Sequence, residues 1–196
     1  GDGRMTAALH AGEEWVVHGL DKDPRLVKEA RNYIRSQELY GSVSIDHWRG
    51  RTLPYTDNLV NLMVCEAPSN LPEKEILRVL RPRGIACIKE DGTWRKIVKD
   101  WPQDIDEWTH YLHGPDNNAV AQDSRVGPLR HLQWKCEPMW CRSHEHNSSI
   151  AASVSAKGRL FYIVDKGPVG LYRADLPSQW SLVARDAFNG VKLWER

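Results

Sequence analysis

The chain is poor in Phe, with two against nine Trp in 196 residues, and it carries no excess of either charge: 27 Lys and Arg face 26 Asp and Glu. That balance excludes a nucleic-acid binder driven by phosphate neutralisation, which needs a basic excess or stripe. No apolar run approaches the roughly 18–20 residues that cross a bilayer as a helix. Four Cys without a dense framework make no disulfide scaffold and identify no redox compartment. There is no initiator Met and no basic-then-apolar leader ahead of Gly1-Asp2-Gly3. The expectation is a fragment cut at both ends, with its compartment left open.

What is present is unevenly placed. Seven Trp (Trp94, Trp101, Trp108, Trp134, Trp140, Trp180, Trp194) follow residue 92, while charge hardly changes there: 13 basic and 14 acidic groups before, 14 and 12 after. The aromatic shift points to two architectures joined near Gly92.

Residues 1–91 alternate strands with helices. Trp15–Leu20 is a short, mostly apolar run suited to a buried parallel strand. Asp23-Pro24 then supplies a helix cap and a first-turn proline. Leu26, Val27, Ala30 and Ile34 follow at helical spacing, and Gly41 closes the unit. Val43–Asp46 and Leu59–Cys65 read as strands and Glu73–Leu80 as a helix. Arg81-Pro82-Arg83-Gly84 reads as a turn and Ile85–Lys89 as a further strand. This order predicts a parallel, three-layer α/β sheet. Such sheets bind ligands at the carboxyl ends of their strands. Gly1-Asp2-Gly3 precedes a short helical stretch, Met5–His10, and glycines there let a ligand approach the backbone. Asp21 closes the next strand about 20 residues on, where a carboxylate can take both hydroxyls of a ribose.

Four motifs come in the order seen in class I S-adenosylmethionine-dependent methyltransferases. They are Gly1-Asp2-Gly3, Gly19-Leu20-Asp21, Leu53-Pro54-Tyr55-Thr56-Asp57-Asn58 and Arg78-Val79-Leu80-Arg81-Pro82-Arg83-Gly84. The first resembles the end of the glycine-rich loop that holds the cofactor, and Asp21 resembles the acidic residue that binds its ribose. The resemblance implies a Rossmann-like methyltransferase fold lacking its first strand, with Gly1, Asp2, Gly3 and Asp21 binding S-adenosylmethionine. Departures from the family are Arg49 near the adenine position, Asn61 in place of an Asp, and Arg83 in place of a Gly. The family's later helix and two further strands have no counterpart after Lys89.

Methyl transfer from an activated sulfonium needs in-line alignment of a nucleophile and sometimes a base. The segment after the fourth family strand is Cys65-Glu66-Ala67-Pro68. Glu66 is the catalytic candidate, able to orient an amine or accept a proton. The plainer reading of the same residue is an exposed turn carboxylate.

Residues 92–148 form a Trp-rich linker. Trp94, Trp101 and Trp108 recur every seven residues, but Pro102 breaks a helical stripe, so they are expected to pack the segment onto its neighbours. Asp104 to Glu107 with His110 and His113 read as a solvated polar loop. Cys136, Cys141, His144 and His146 have the spacing C-x4-C-x2-H-x-H, a poor fit to structural zinc. No metal is expected.

From Ser149 the punctuation turns to hairpins. Ile150–Ser155 and Arg159–Val164 flank Ala156-Lys157-Gly158, and Ser181–Ala187 and Val191–Trp194 flank Phe188-Asn189-Gly190. Four antiparallel strands of this size make one propeller blade, which needs neighbours to bury both faces. Asp186-Ala187, then Gly190, then Leu193-Trp194 resembles the repeat of quinoprotein-type (pyrroloquinoline-quinone-like) β-propellers. The resemblance implies an all-β blade at 149–196, with Trp194 a core residue. Binding of pyrroloquinoline quinone does not follow from one repeat.

The leading expectation is therefore a methyltransferase domain fused to a propeller, its acceptor unread. The alternatives are an inactive methyltransferase-like scaffold and part of a quinone-dependent dehydrogenase. A cytoplasmic location would go with the active methyltransferase half, an exported one with the propeller half. A small-molecule cofactor is the expected partner, with neither nucleic acid nor a membrane span indicated.

Overall fold

A computed structural model describes residues 1–66, 71–125, 132–137, 149–169 and 177–196. The chain divides into two compact units, Gly1–Thr52 and Leu53–Arg196, at a point well before the composition change near Gly92.

The first unit holds α1 (Arg4–Ala8), β1 (Val17–Asp21), α2 (Pro24–Ser36) and β2 (Val43–His47). Asp23 caps α2 by accepting the Arg25 N–H at 2.8 Å, and Pro24 sits in the first turn. The apolar stripe read from the sequence is the buried one. Val27, Ala30 and Ile34 pack on Val43 and Ile45, with Val17 and Leu39 at the margin. β1 and β2 pair in parallel from Val17 opposite Val43 to Asp21 opposite His47. Parallel neighbours need a crossover, and α2 supplies it. Arg31 ties helix to strand, its Nε donating to the Ile45 carbonyl at 2.8 Å.

The second unit opens with β3 (Val60–Cys65), α3 (Glu73–Val79), β4 (Leu80–Glu90) and β5 (Thr93–Val98), in a sheet ordered β3-β4-β5. β3 and β4 are parallel and β5 is antiparallel to β4. Ile76, Leu80, Ala86 and Ile88 form its core. Two expectations are corrected here. The helix ends at Val79, and Arg81–Gly84 is a bulge within β4, with pairing passing from Val60–Leu80 to Leu62–Ile85. The bulge explains the departure at position 83: Arg83 has φ +62°, the region glycine occupies freely. The sheet also continues past Lys89. Asp91 and Gly92 both have positive φ (49° and 81°) and turn the chain into β5, the geometry that suits an Asp-Gly hairpin. In place of the one parallel sheet expected, the strands form two sheets, a parallel pair β1-β2 and a mixed β3-β4-β5.

The unit ends in four antiparallel strands, β6 (Ile150–Ala156), β7 (Arg159–Asp165), β8 (Trp180–Asp186) and β9 (Lys192–Glu195), in sequential order. Lys157 and Gly158 form the two-residue turn between β6 and β7, both at positive φ. One face carries Tyr162, Val164 and Val183, all buried, with Leu160 packed on them. On the other, Ile163, Leu182 and Trp194 are about two-fifths exposed (40, 42 and 39%). Trp194, expected in a core, is 39% exposed, leaning on Phe161 at 6.0 Å with the Arg196 guanidinium 5.9 Å over its ring.

Candidate functional site

The candidate cofactor residues meet in the first unit. β1 ends at Asp21, whose carboxylate leaves the sheet edge beside the glycine segment. The Gly1 amine donates to Asp21 Oδ2, and the Asp23 N–H donates to Asp21 Oδ1 at 2.8 Å. Burial alone would raise the Asp21 carboxyl, and the Asp23 N–H works against it.

Asp2 is exposed and turns back on the start of α1, accepting the Arg4 N–H at 3.1 Å and pairing with Arg4 Nε at 3.1 Å. Gly3 is buried at φ +86°, and a Cβ there would lie 3.0 Å from the backbone and side chain of Ala30. Its glycine therefore lets α1 pack on α2, a requirement of the fold that stands whatever the loop binds. Gly1 has open space around it.

In the second unit, Glu66 follows β3 at its carboxyl end and is exposed. It borders a shallow concavity with Lys89, Glu90, Asp91 and Gly92. Lys89 extends over the Trp94 ring at 5.8 Å, and Glu90 pairs with Arg95 at 3.2 Å. This is the geometry of a turn carboxylate at a strand end.

The motif Arg78-Val79-Leu80-Arg81-Pro82-Arg83-Gly84 does structural work that sequence reading left unassigned. Arg78 donates twice to Glu75 (2.7 and 2.8 Å), once to Asp57 (2.7 Å), and to the carbonyls of Tyr55 (2.8 Å) and Leu53 (3.1 Å). It thereby fixes the Leu53–Asn58 loop to α3. Lys99 adds bonds to Asn58 Oδ1 (2.6 Å) and the Leu80 carbonyl (2.8 Å), and burial pulls its ammonium below the usual lysine range.

The linker's polar loop is more ordered than expected. Asp106 Oδ2 lies 2.6 Å from His113 Nε2 and accepts the Gln122 N–H at 2.6 Å, while Oδ1 accepts from Glu107 N–H. The N–H groups of Gln122 and Glu107, with His113, hold Asp106 below the usual carboxylate range. Asp104 pairs with Arg125 at 2.8 Å. Trp108 bonds in turn to β6: its N–H donates to Ser155 Oγ and its carbonyl accepts the Ser155 N–H. The same-residue ligands of the zinc reading, Cys141, His144 and His146, lie outside the described residues. Among the described residues no group of three His, Cys, Asp or Glu side chains could hold a metal, and no helix is long and apolar enough to cross a membrane.

No protein-family model matches the chain, and no match is found among curated proteins. Solved structures do show partial likeness. A putative S-adenosyl-L-methionine-dependent methyltransferase from Methanococcus maripaludis is 22% identical, with 45% of this chain and 43% of that one covered and a TM-score of 0.41. A putative methyltransferase in complex with the Haloferax volcanii Trm112 activator is 26% identical, with 45% and 40% covered and a TM-score of 0.39. The [4+2]-cyclase SpnF is 24% identical, with 46% and 37% covered and a TM-score of 0.41. The chain spans less than half the length of each of these structures, and methyltransferases with S-adenosylmethionine as cofactor are among its structural neighbours.

Proposed function

We propose that residues 1–91 belong to an S-adenosylmethionine-dependent methyltransferase domain and that residues 149–196 are one blade of a quinoprotein-type β-propeller, joined by the linker at 92–148. The observation that carries the cofactor reading is the placement of Asp21. It is a carboxylate at the carboxyl end of a parallel strand, with one oxygen held by the Asp23 N–H and the other beside Gly1 of the glycine segment. A ribose offers two adjacent hydroxyl donors, and such a carboxylate accepts both. The donor chemistry therefore fits the cofactor. When bound, S-adenosylmethionine supplies a methyl group already activated on sulfur. The chain's own contribution is to hold the ribose at Asp21 and let the backbone of Gly1, Asp2 and Gly3 lie close to the ligand.

A second reading, a binding scaffold whose methyltransferase-like domain is inactive, draws support from Asn61. Its carboxamide stands where the family has an Asp and is committed to Asn189 within the protein. Pyrroloquinoline quinone has no supporting observation and forms no part of the proposal.

Calorimetric titration with S-adenosylmethionine tests the reading. Wild type should bind, and Asp21→Ala should weaken binding by about 10- to 100-fold, the worth of a charge-assisted hydrogen-bonding acceptor. Absence of binding by the wild type would contradict it.

A further inference from the structure

The turn between β8 and β9 reaches far outside its own hairpin. Asn189 Nδ2 donates to the Leu59 carbonyl at 3.0 Å and to Asn61 Oδ1 at 2.5 Å, across 130 and 128 residues of sequence. Its Oδ1 meanwhile accepts the Val191 N–H at 3.2 Å, so the same side chain closes the local turn. Asp186, at the end of β8, accepts the Phe188 N–H at 2.9 Å and meets Arg81 Nε of the β4 bulge at 3.0 Å. Asp186 is nearly buried, with 7% of its side chain exposed, and Arg81 is 27% exposed. The linker fills in around the turn. One Gln133 amide donates to the carbonyls of Asp57 (3.1 Å), Asn58 (3.2 Å) and Phe188 (2.7 Å). Trp134 donates to the Ala187 carbonyl at 3.0 Å and lies against Gly190, while Trp101 meets Phe188 edge-on at 5.9 Å under the Arg83 guanidinium.

We infer that the Asp186–Gly190 turn is a clasp that makes the β3-β4-β5 sheet and the β6–β9 sheet one cooperative unit, with Asn61 and Asn189 its selective pair. Three features argue for a built device. The Asn189 carboxamide uses both its donor and its acceptor, and Asn61 Oδ1 and the Leu59 carbonyl each gain a donor that an apolar contact would not supply. Asp186 is withdrawn from water, so loss of Arg81 strands a buried carboxylate. The contacts also fall on the start of β3 and the bulge of β4, the least regular part of that sheet, where outside support most affects order.

Hydrogen–deuterium exchange on the full chain, read separately over β3–β4 and over β7–β8, tests the clasp. Val164→Ala, a small truncation in the four-stranded core, should speed exchange in both sheets by similar factors. In the Asn189→Ala background the same truncation should act on β7–β8 alone, with β3–β4 already exchanging on the order of tenfold faster than in the wild type, the worth of one or two severed hydrogen bonds. Asn61→Leu keeps the local Asn189–Val191 bond and should give the same uncoupling, which guards against a variant that merely spoils the turn. The inference is overturned if Val164→Ala leaves β3–β4 exchange unchanged, or if either clasp variant leaves the two sheets responding together.

Discussion

Removal of the Arg78 guanidinium tests how the second unit is held. Arg78→Ala deletes five hydrogen bonds at once and leaves Glu75, only 13% exposed, as a carboxylate with the Leu53 N–H (2.6 Å) as its remaining donor. Breaking a buried pair costs about 3–5 kcal/mol, and the 28% exposure of Arg78 lets water recover part of that. The expected loss is roughly 3 kcal/mol. Arg78→Lys keeps the charge but not the fork, and should lose about half as much. Guanidinium unfolding followed by Trp fluorescence measures both. The pH dependence adds a second readout. Hydrogen bonds from Arg78, against the opposing effect of burial, hold Glu75 below its ordinary range. Its contribution is therefore complete above about pH 4.5 and is lost as pH falls through the lower folded value. Arg78→Ala should flatten that acid slope. A loss under ~0.5 kcal/mol, the ordinary surface value, or an unchanged acid slope, would refute the reasoning.

Three further outcomes follow from named atoms. Gly3→Ala combines a positive φ with a Cβ 3.0 Å from Ala30, and should destabilise the first unit by about 2–4 kcal/mol, seen as faster exchange in α2. Gly190→Ala would set a Cβ 2.6 Å from the Trp134 ring at φ +75°, and should shift the emission of that Trp and weaken the four-stranded sheet by a similar amount. Asp165, 1% exposed, accepts the Gly167 and Gln179 N–H groups at 2.9 and 2.8 Å, so Asp165→Ala should cost about 2 kcal/mol and lower the midpoint of denaturant unfolding.

Local signals served the sequence reading where the physics is local. Asp23-Pro24 starts α2, the Val27–Ala30–Ile34 stripe buries, and the Lys157-Gly158 and Asn189-Gly190 turns join antiparallel strands. β5 was also announced by a local signal, Asp91-Gly92, but TWRKIV shows no apolar alternation because that strand is mostly exposed. The β4 bulge was hidden for a related reason. Arg81-Pro82-Arg83-Gly84 has turn chemistry, and only pairing with β3 and the Lys99 backbone draws it into a strand. The place of Asp21 at the end of β1, with the Asp23 N–H two residues on as its donor, was legible because it is local. The Asn61–Asn189 pair and the Arg81–Asp186 pair were not, since partners more than a hundred residues apart leave no spacing to read.

The most direct measurement of the central claim compares S-adenosylmethionine with its 2′-deoxyribose analogue on wild type and on Asp21→Ala. If Asp21 takes the ribose hydroxyls, wild type prefers the ribose ligand by at least about tenfold, and Asp21→Ala binds the two alike. Equal affinities in the wild type, or a preference that survives in Asp21→Ala, would contradict the account.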